Sequence, residues 1–256
     1  MTKLVIFDLD GTLLNTISDL GEACNYALQT NGFPSHQLSE YPAMVGNGVN
    51  NLILRSLPPE SRSMEEVMHI KPDFIHYYNT HNRIHTSPYL GIVDVLKQLK
   101  LWNIRLAVAS NKYNEATQAL IRYYFGDDMF DVILGERLGV ERKPNPQIIY
   151  DIFATPSIKG CTPEETLYVG DSDVDMQTAH NARLTAIGCT WGFCTRENLL
   201  DNHPDFIAEQ PSDILSFIQK GNLYLYLLSA SFCCLAAAAC QMQKKLPHSL
   251  IPLAAW

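Results

Sequence analysis

Six short apolar and β-branched runs punctuate the chain: Leu4 to Phe7, Ile104 to Ala109, Val132 to Leu134, Thr166 to Val169, Ala186 to Thr190 and Phe206 to Ala208. Each sits between segments with helical patterning. That alternation is the pattern of a parallel sheet covered by helices on both faces, so the fold class is α/β with a doubly wound parallel sheet. Helix starts are signalled by Thr162-Pro163-Glu164-Glu165, a capping box with proline at the first helical position, and by Pro211-Ser212-Asp213 ahead of Ile214, Leu215, Phe217 and Ile218.

Between the first run and the second lie about a hundred residues, whereas a complete strand-helix-strand unit needs only about 30. Something is inserted there. Ile17, Leu20, Cys24, Ala27 and Leu28, then Val49, Leu52 and Ile53, repeat at helical spacing. The expected partition is an α/β core of residues 1–15 and 86–220, a helical cap over 16–85, and an apolar tail over 221–256.

Composition removes several classes of function. Nineteen Lys and Arg against 27 Asp and Glu give a net charge of -8, the wrong sign for an electrostatic nucleic-acid binder. The seven cysteines contain no CxxC pair, so neither a disulfide framework nor a zinc site is indicated, and a reducing cytoplasm fits. The amino terminus carries no export signal. Neither GxGxxG nor GxxxxGK[ST] occurs, so no nucleotide cofactor is expected.

Polar residues gather where the apolar runs end. Asp8-Leu9-Asp10-Gly11-Thr12 follows the first run, Ser110-Asn111 the second, Lys143-Pro144 lies in a loop beyond the third, and Gly170-Asp171-Ser172 closes the fourth, with Asp175 further on. Open α/β sheets bind ligands at the carboxyl ends of their strands. Singly, each point has a structural account: an acidic turn at Asp8, helix caps at Ser110 and Asp171, a solvated cation at Lys143, a first-turn acid at Asp175. Four together, in this order, favour a site.

The order DxDGT, S/T, K, GDxxxD resembles the signature of the haloacid dehalogenase superfamily of phosphohydrolases over residues 1 to about 218, in particular its phosphoglycolate phosphatase-like members. Val45-Gly46-Asn47-Gly48, Lys143-Pro144-Asn145-Pro146 and Thr190-Trp191-Gly192-Phe193 extend the likeness. The resemblance implies a Rossmann-like core and a Mg²⁺ cofactor. It makes Asp8 the nucleophile and a metal ligand, the backbone carbonyl of Asp10 a second ligand and Asp171 a third. Asp175 supports the metal or Lys143, with Asp173 as its competitor for that place. The Asp10 side chain is the general acid and base. Dehalogenases of the same fold lack an acid at that position and need no metal, so Asp10 implies phosphoryl transfer. Ser110 and Lys143 would hold the transferring phosphoryl group, and Thr12 and Asn111 join the substrate-binding set.

Cap residues would set the substrate. Gly46-Asn47-Gly48 suits close backbone approach and Arg55 could face a substrate carboxylate, although a helix-helix turn and a surface cation explain them equally. Asn15 stands where many relatives carry Asp, and Cys194 where many carry a basic residue. His81 and His85 have metal-like spacing but no carboxylate in register, and are given no role.

The tail from Asn222 to Gln243 is uncharged and just spans the roughly 20 residues a bilayer crossing requires. An appended extension, a partner-binding helix and a membrane anchor are the three readings of it, the first favoured. The expected function is Mg²⁺-dependent cytoplasmic hydrolysis of a small phosphorylated metabolite, 2-phosphoglycolate leading. A sugar-phosphate mutase or pyrophosphatase of the same superfamily is the enzymatic alternative. A binding or membrane-tethered protein acting through its tail is the non-enzymatic one.

Overall fold

A computed structural model describes residues 1–221 of the chain. In chain order its elements are β1 (Leu4–Phe7), β2 (Leu14–Asn15), α1 (Ile17–Thr30), α2 (Val49–Ser56), α3 (Met64–His81), β3 (Ser87–Pro88), α4 (Ile92–Leu101), β4 (Arg105–Tyr113), α5 (Asn114–Phe125), β5 (Val132–Glu136), α6 (Gln147–Ala154), β6 (Thr166–Gly170), α7 (Asp173–Asn181), β7 (Thr185–Cys189), α8 (Arg196–Asp201) and β8 (Phe206–Ala208). Residues 212–221 are again helical.

Six strands form one sheet in the order β5-β4-β1-β6-β7-β8, and every neighbouring pair is parallel. β1 lies between β4 and β6, with Phe7 opposite Val108 on one side and Val169 on the other. All four of its residues are fully buried, which is why the run is continuously apolar rather than alternating. The connection order reverses at β1: the chain goes first to β4 and β5, then crosses to β6. That reversal opens a crevice beyond the carboxyl ends of β1 and β6, where an α/β sheet holds its ligand.

One face of the sheet packs Leu4, Ile6, Ala107, Ala109 and Tyr168 against Ile149 and Ile152 of α6 and Met176 and Ala179 of α7. Residues of the helical insert make their own apolar cluster, with Leu20, Cys24, Ala27 and Leu28 of α1, Leu52 and Ile53 of α2, and Val67, Ile70, Phe74 and Tyr78 of α3. The three- and four-residue spacing lines these up on single helix faces. Each large side chain so buried contributes about 1.5–3 kcal/mol.

The insert is tied where the chain leaves and re-enters the core. β2 and β3 pair antiparallel, Leu14 opposite Pro88 and Asn15 opposite Ser87. Buried Asp19 of α1 reinforces the junction by accepting from the backbone N–H groups of His85 and Thr86 and from the Thr86 hydroxyl.

Two local expectations are corrected. β4 does not stop at Ala109 but continues to Tyr113, with its register against β5 shifting between Ala109 and Tyr113. A bulge of this kind re-aims side chains near the end of a strand. The capping box at Thr162 opens no α-helix: Pro163–Glu165 makes one 3₁₀ turn, the Thr162 side chain caps nothing, and β6 begins at Thr166. Three residues leave no room for a second turn before the strand. The expectations for the tail fall on residues 222–256, outside the described residues. Among the described residues, no helix is long and apolar enough to cross a membrane.

Candidate active site

The loop after β1 is closed by its own backbone. The N–H groups of Thr12, Leu13 and Leu14 all donate to the Leu9 carbonyl, and Asp8 N–H donates to Val169 O at 2.9 Å. Gly11 adopts φ +89°, and a Cβ there would lie 2.2 Å from Asp171 Oδ2. Only glycine lets the two acidic loops meet.

Lys143 Nζ is the hub. Its three N–H bonds are shared among four acceptors, Asp8 Oδ1 at 2.8 Å, Asp175 Oδ1 at 2.8 Å, Ala109 O at 2.9 Å and the Tyr168 hydroxyl at 2.9 Å. Burial opposes its charge, but Asp175 and then Asp8 hold its pKa well above the ordinary lysine value. Asp175 is saturated: Oδ1 also accepts from Tyr168, and Oδ2 accepts from the Ser172 N–H and hydroxyl. Asp171 is less committed, Oδ1 accepting from Thr12 and Oδ2 from the Phe193 N–H. Asp8 Oδ2 carries no hydrogen bond among the described residues.

Asp8, Asp171 and Asp175 each bring an oxygen within 4.8 Å of the others. Asp173, half-buried, is outside this cluster. Burial, partly offset by Lys143, with Asp175 and Asp10 adding repulsion, raises the Asp8 carboxyl to about 7. Burial first, then Asp175 and Asp8, also pushes Asp171 well above the usual carboxylate range. One ammonium therefore does not neutralise these acids, and their all-oxygen donor set fits a hard cation. With its lone pairs taken, Asp175 fits the support of Lys143 rather than a ligand position, leaving Asp8 and Asp171 as the side chains able to coordinate.

A cavity opens above these groups. Its floor includes Asp8, Asp10, Ser110, Asn111, Lys112 and Asp171; its apolar side is made by Leu20, Val45, Val49, Leu52, Phe74 and Tyr78 of the insert. Gly46 also lines it, as do Phe193 and Cys194. Burial pushes the Cys194 thiol up to about 12, so it stays protonated at neutral pH.

The other expected substrate residues are engaged within the protein. Thr12 is fully buried behind Asp171, its hydroxyl donating there. Asn111 touches the cavity, yet its side chain bridges Lys143 N and O and reaches Gly46 O, so it clamps loops together. Asn47 is outside the cavity wall, its carbonyl accepting from Asn51 and Arg142. Arg55 turns away, donating to Met44 O at 2.9 Å and Val45 O at 3.5 Å, so it braces the loop. For Asn111 and Arg55, backbone groups nearer than the cavity take the polar side chain. His81 stacks on Tyr77, and His85 meets Glu22 at 3.2 Å.

The sequence reading missed Lys112 and Tyr168. Lys112 Nζ sits 2.9 and 3.0 Å from the two Asp10 oxygens, and Asp10 Oδ1 also accepts from Thr16 at 2.8 Å. A lysine directly after Ser110-Asn111 was the available signal for the first. Tyr168 gave none, because it stands inside an apolar run.

A family model for haloacid dehalogenase-like hydrolases matches residues 5–189. The chain belongs to that family. This haloacid dehalogenase-like hydrolase is 32% identical over 222 residues to the phosphoglycolate phosphatase of Mannheimia succiniciproducens, a match covering 84% of this chain and 98% of that protein. It is 29% identical over 218 residues to that of Aquifex aeolicus, covering 85% and 97%. A solved structure from Lactobacillus delbrueckii subsp. bulgaricus, assigned as a phosphoglycolate phosphatase, superposes with a TM-score of 0.78 at 32% identity, covering 84% of this chain and 97% of that one. The Asp8–Asp171 floor lies at the carboxyl edge of this hydrolase's sheet, under the helical insert.

Proposed function

We propose that this hydrolase is a Mg²⁺-dependent, cytoplasmic phosphatase of small phosphomonoesters, with 2-phosphoglycolate the leading substrate, working through an aspartyl-phosphate on Asp8. The observation that carries the reading is the pairing on the cavity floor of a carboxylate oxygen without a hydrogen bond, Asp8 Oδ2, with a second acid, Asp10, two residues away.

Bound by Asp8, Asp171 and the Asp10 carbonyl, Mg²⁺ would supply positive charge against the phosphate dianion. Asp8 Oδ2 attacks phosphorus while Oδ1 stays held by Lys143. The bond from phosphorus to the ester oxygen breaks, and Asp10 gives that oxygen its proton. As a carboxylate, Asp10 then takes a proton from a water that attacks the phosphoryl group, releasing inorganic phosphate and restoring Asp8. Ser110 lies within β4 and lines the cavity, where it can donate to a phosphoryl oxygen. The insert, residues 16–85, acts as the cap: its apolar side chains exclude water from the floor.

The test is hydrolysis of a panel of phosphomonoesters with and without Mg²⁺. Release of phosphate from 2-phosphoglycolate, abolished by excess EDTA, is the expected result; no metal-dependent release from any member would overturn the reading.

A further inference from the structure

A substrate that carries a second anion beside its phosphate needs a fixed cation in the cavity. Lys143 does not provide it, since its ammonium faces Asp8, Asp175, Tyr168 and Ala109 O. Arg55 faces loop carbonyls, and Arg142 faces Glu136 and Asn47 O. Lys112 is on the cavity wall. Its side chain is 3% exposed, and two of its three N–H bonds suffice for the Asp10 oxygens at 2.9 and 3.0 Å. The third remains.

Tyr78 meets Lys112 from the insert. Its ring lies under the ammonium, 4.7 Å from nitrogen to centroid, and it lines the same cavity. The residue is fully buried, and among the described residues its hydroxyl has no hydrogen-bond partner. Buried hydroxyls almost always find one. Burial, with Asp10 and Asp19 adding to it, raises this phenol well above its usual pKa, so it remains a donor. Lys112 from the floor and Tyr78 from the insert thus meet at one edge of the cavity, and the third N–H of the one and the O–H of the other are donors that no group among the described residues accepts; both suit an oxyanion acceptor.

We propose that Lys112 and Tyr78 form the subsite for a substrate carboxylate and thereby select small phosphorylated carboxylic acids over neutral alkyl phosphates. The assignment rests on the phosphatase reading of the same cavity and gives the carboxylate role to Lys112 in place of Arg55. Binding places one carboxylate oxygen on Nζ and the other on the phenol.

The experiment measures binding, so that it does not depend on turnover. Calorimetry with Mg²⁺ compares 3-phosphonopropionate with n-propylphosphonate, which share a phosphonate and differ in the carboxylate. Wild type should prefer the carboxylate ligand by about tenfold or more, and Lys112→Met should remove nearly all of that preference. Tyr78→Phe should reduce it by about threefold to tenfold while leaving thermal stability at or above wild type, because the hydroxyl bonds to nothing among the described residues. Taking the ratio of the two ligands cancels any general effect on the phosphate site or Asp10. No preference in wild type, or an unchanged preference in either variant, overturns the pair. Absence of phosphatase activity alongside an intact preference overturns the phosphatase reading and upholds the subsite.

Discussion

Asp175 Oδ1 accepts a 2.8 Å hydrogen bond from Lys143 Nζ, with the two side chains 1% and 2% exposed. A buried ion pair adds little net stability, but removing one partner leaves the other charged and unsolvated. Asp175 is thus a positioning residue: it aims the ammonium at Asp8, and the Tyr168 hydroxyl and Ser172 fix Asp175 in turn.

Asp175→Asn should therefore destabilise the protein by about 3 kcal/mol, the scale of a broken buried pair, and lower kcat more than it raises KM. Asp173→Asn should change stability by no more than about 0.5 kcal/mol. Urea unfolding and steady-state kinetics on both variants make the comparison, and equal effects at the two positions would overturn the assignment.

At the nucleophile, Asp8→Asn should abolish turnover, whereas Asp10→Asn should keep substrate binding and slow the chemistry by about 10² to 10⁴. Labelled phosphate should be trapped on wild type after acid quench and not on Asp8→Asn. Comparable turnover in wild type and Asp8→Asn would rule Asp8 out.

Metal and proton compete for the same acids. Asp8 moves from an ordinary value of 3.8 to about 7 on folding, so between those values the folded chain holds more protons than the unfolded one. The metal-free protein should lose stability as pH rises through that window. Asp171 acts in the same direction. Lys143 does not oppose this, since its raised pKa contributes stability that is complete below 10.5. Mg²⁺ should then raise Tm more at pH 8 than at pH 5, as thermal denaturation with and without the ion would show. An equal increment at both pH values would sink the argument.

Gly11→Ala should cost about 1–2 kcal/mol from its left-handed backbone alone, and more because its Cβ would strike Asp171 Oδ2 at 2.2 Å. Gly32, at φ +78° with nothing within 4 Å of an added Cβ, isolates the backbone share. Activity should fall in Gly11→Ala and survive in Gly32→Ala. Matching losses in both would remove the steric argument.

The sheet and its loaded edge were legible along the chain. A strand such as Leu4–Phe7, buried on both faces, must be apolar throughout, and that demand is written into four consecutive residues. Polar residues right after such runs therefore fall at the carboxyl edge, and Asp8, Asp171 and Asp175 do meet there. Tertiary structure decided which partner each polar group takes. Arg55 and Asn111 were plausible substrate ligands until nearby backbone groups claimed them. Lys112 was marked only by its place after Ser110-Asn111, in a strand that continues past its apolar run, and only folding brings Asp10 within 3 Å of its ammonium. Burial is a property of local composition and can be read along the chain; a hydrogen bond between residues 102 apart depends on a geometry that no local pattern encodes.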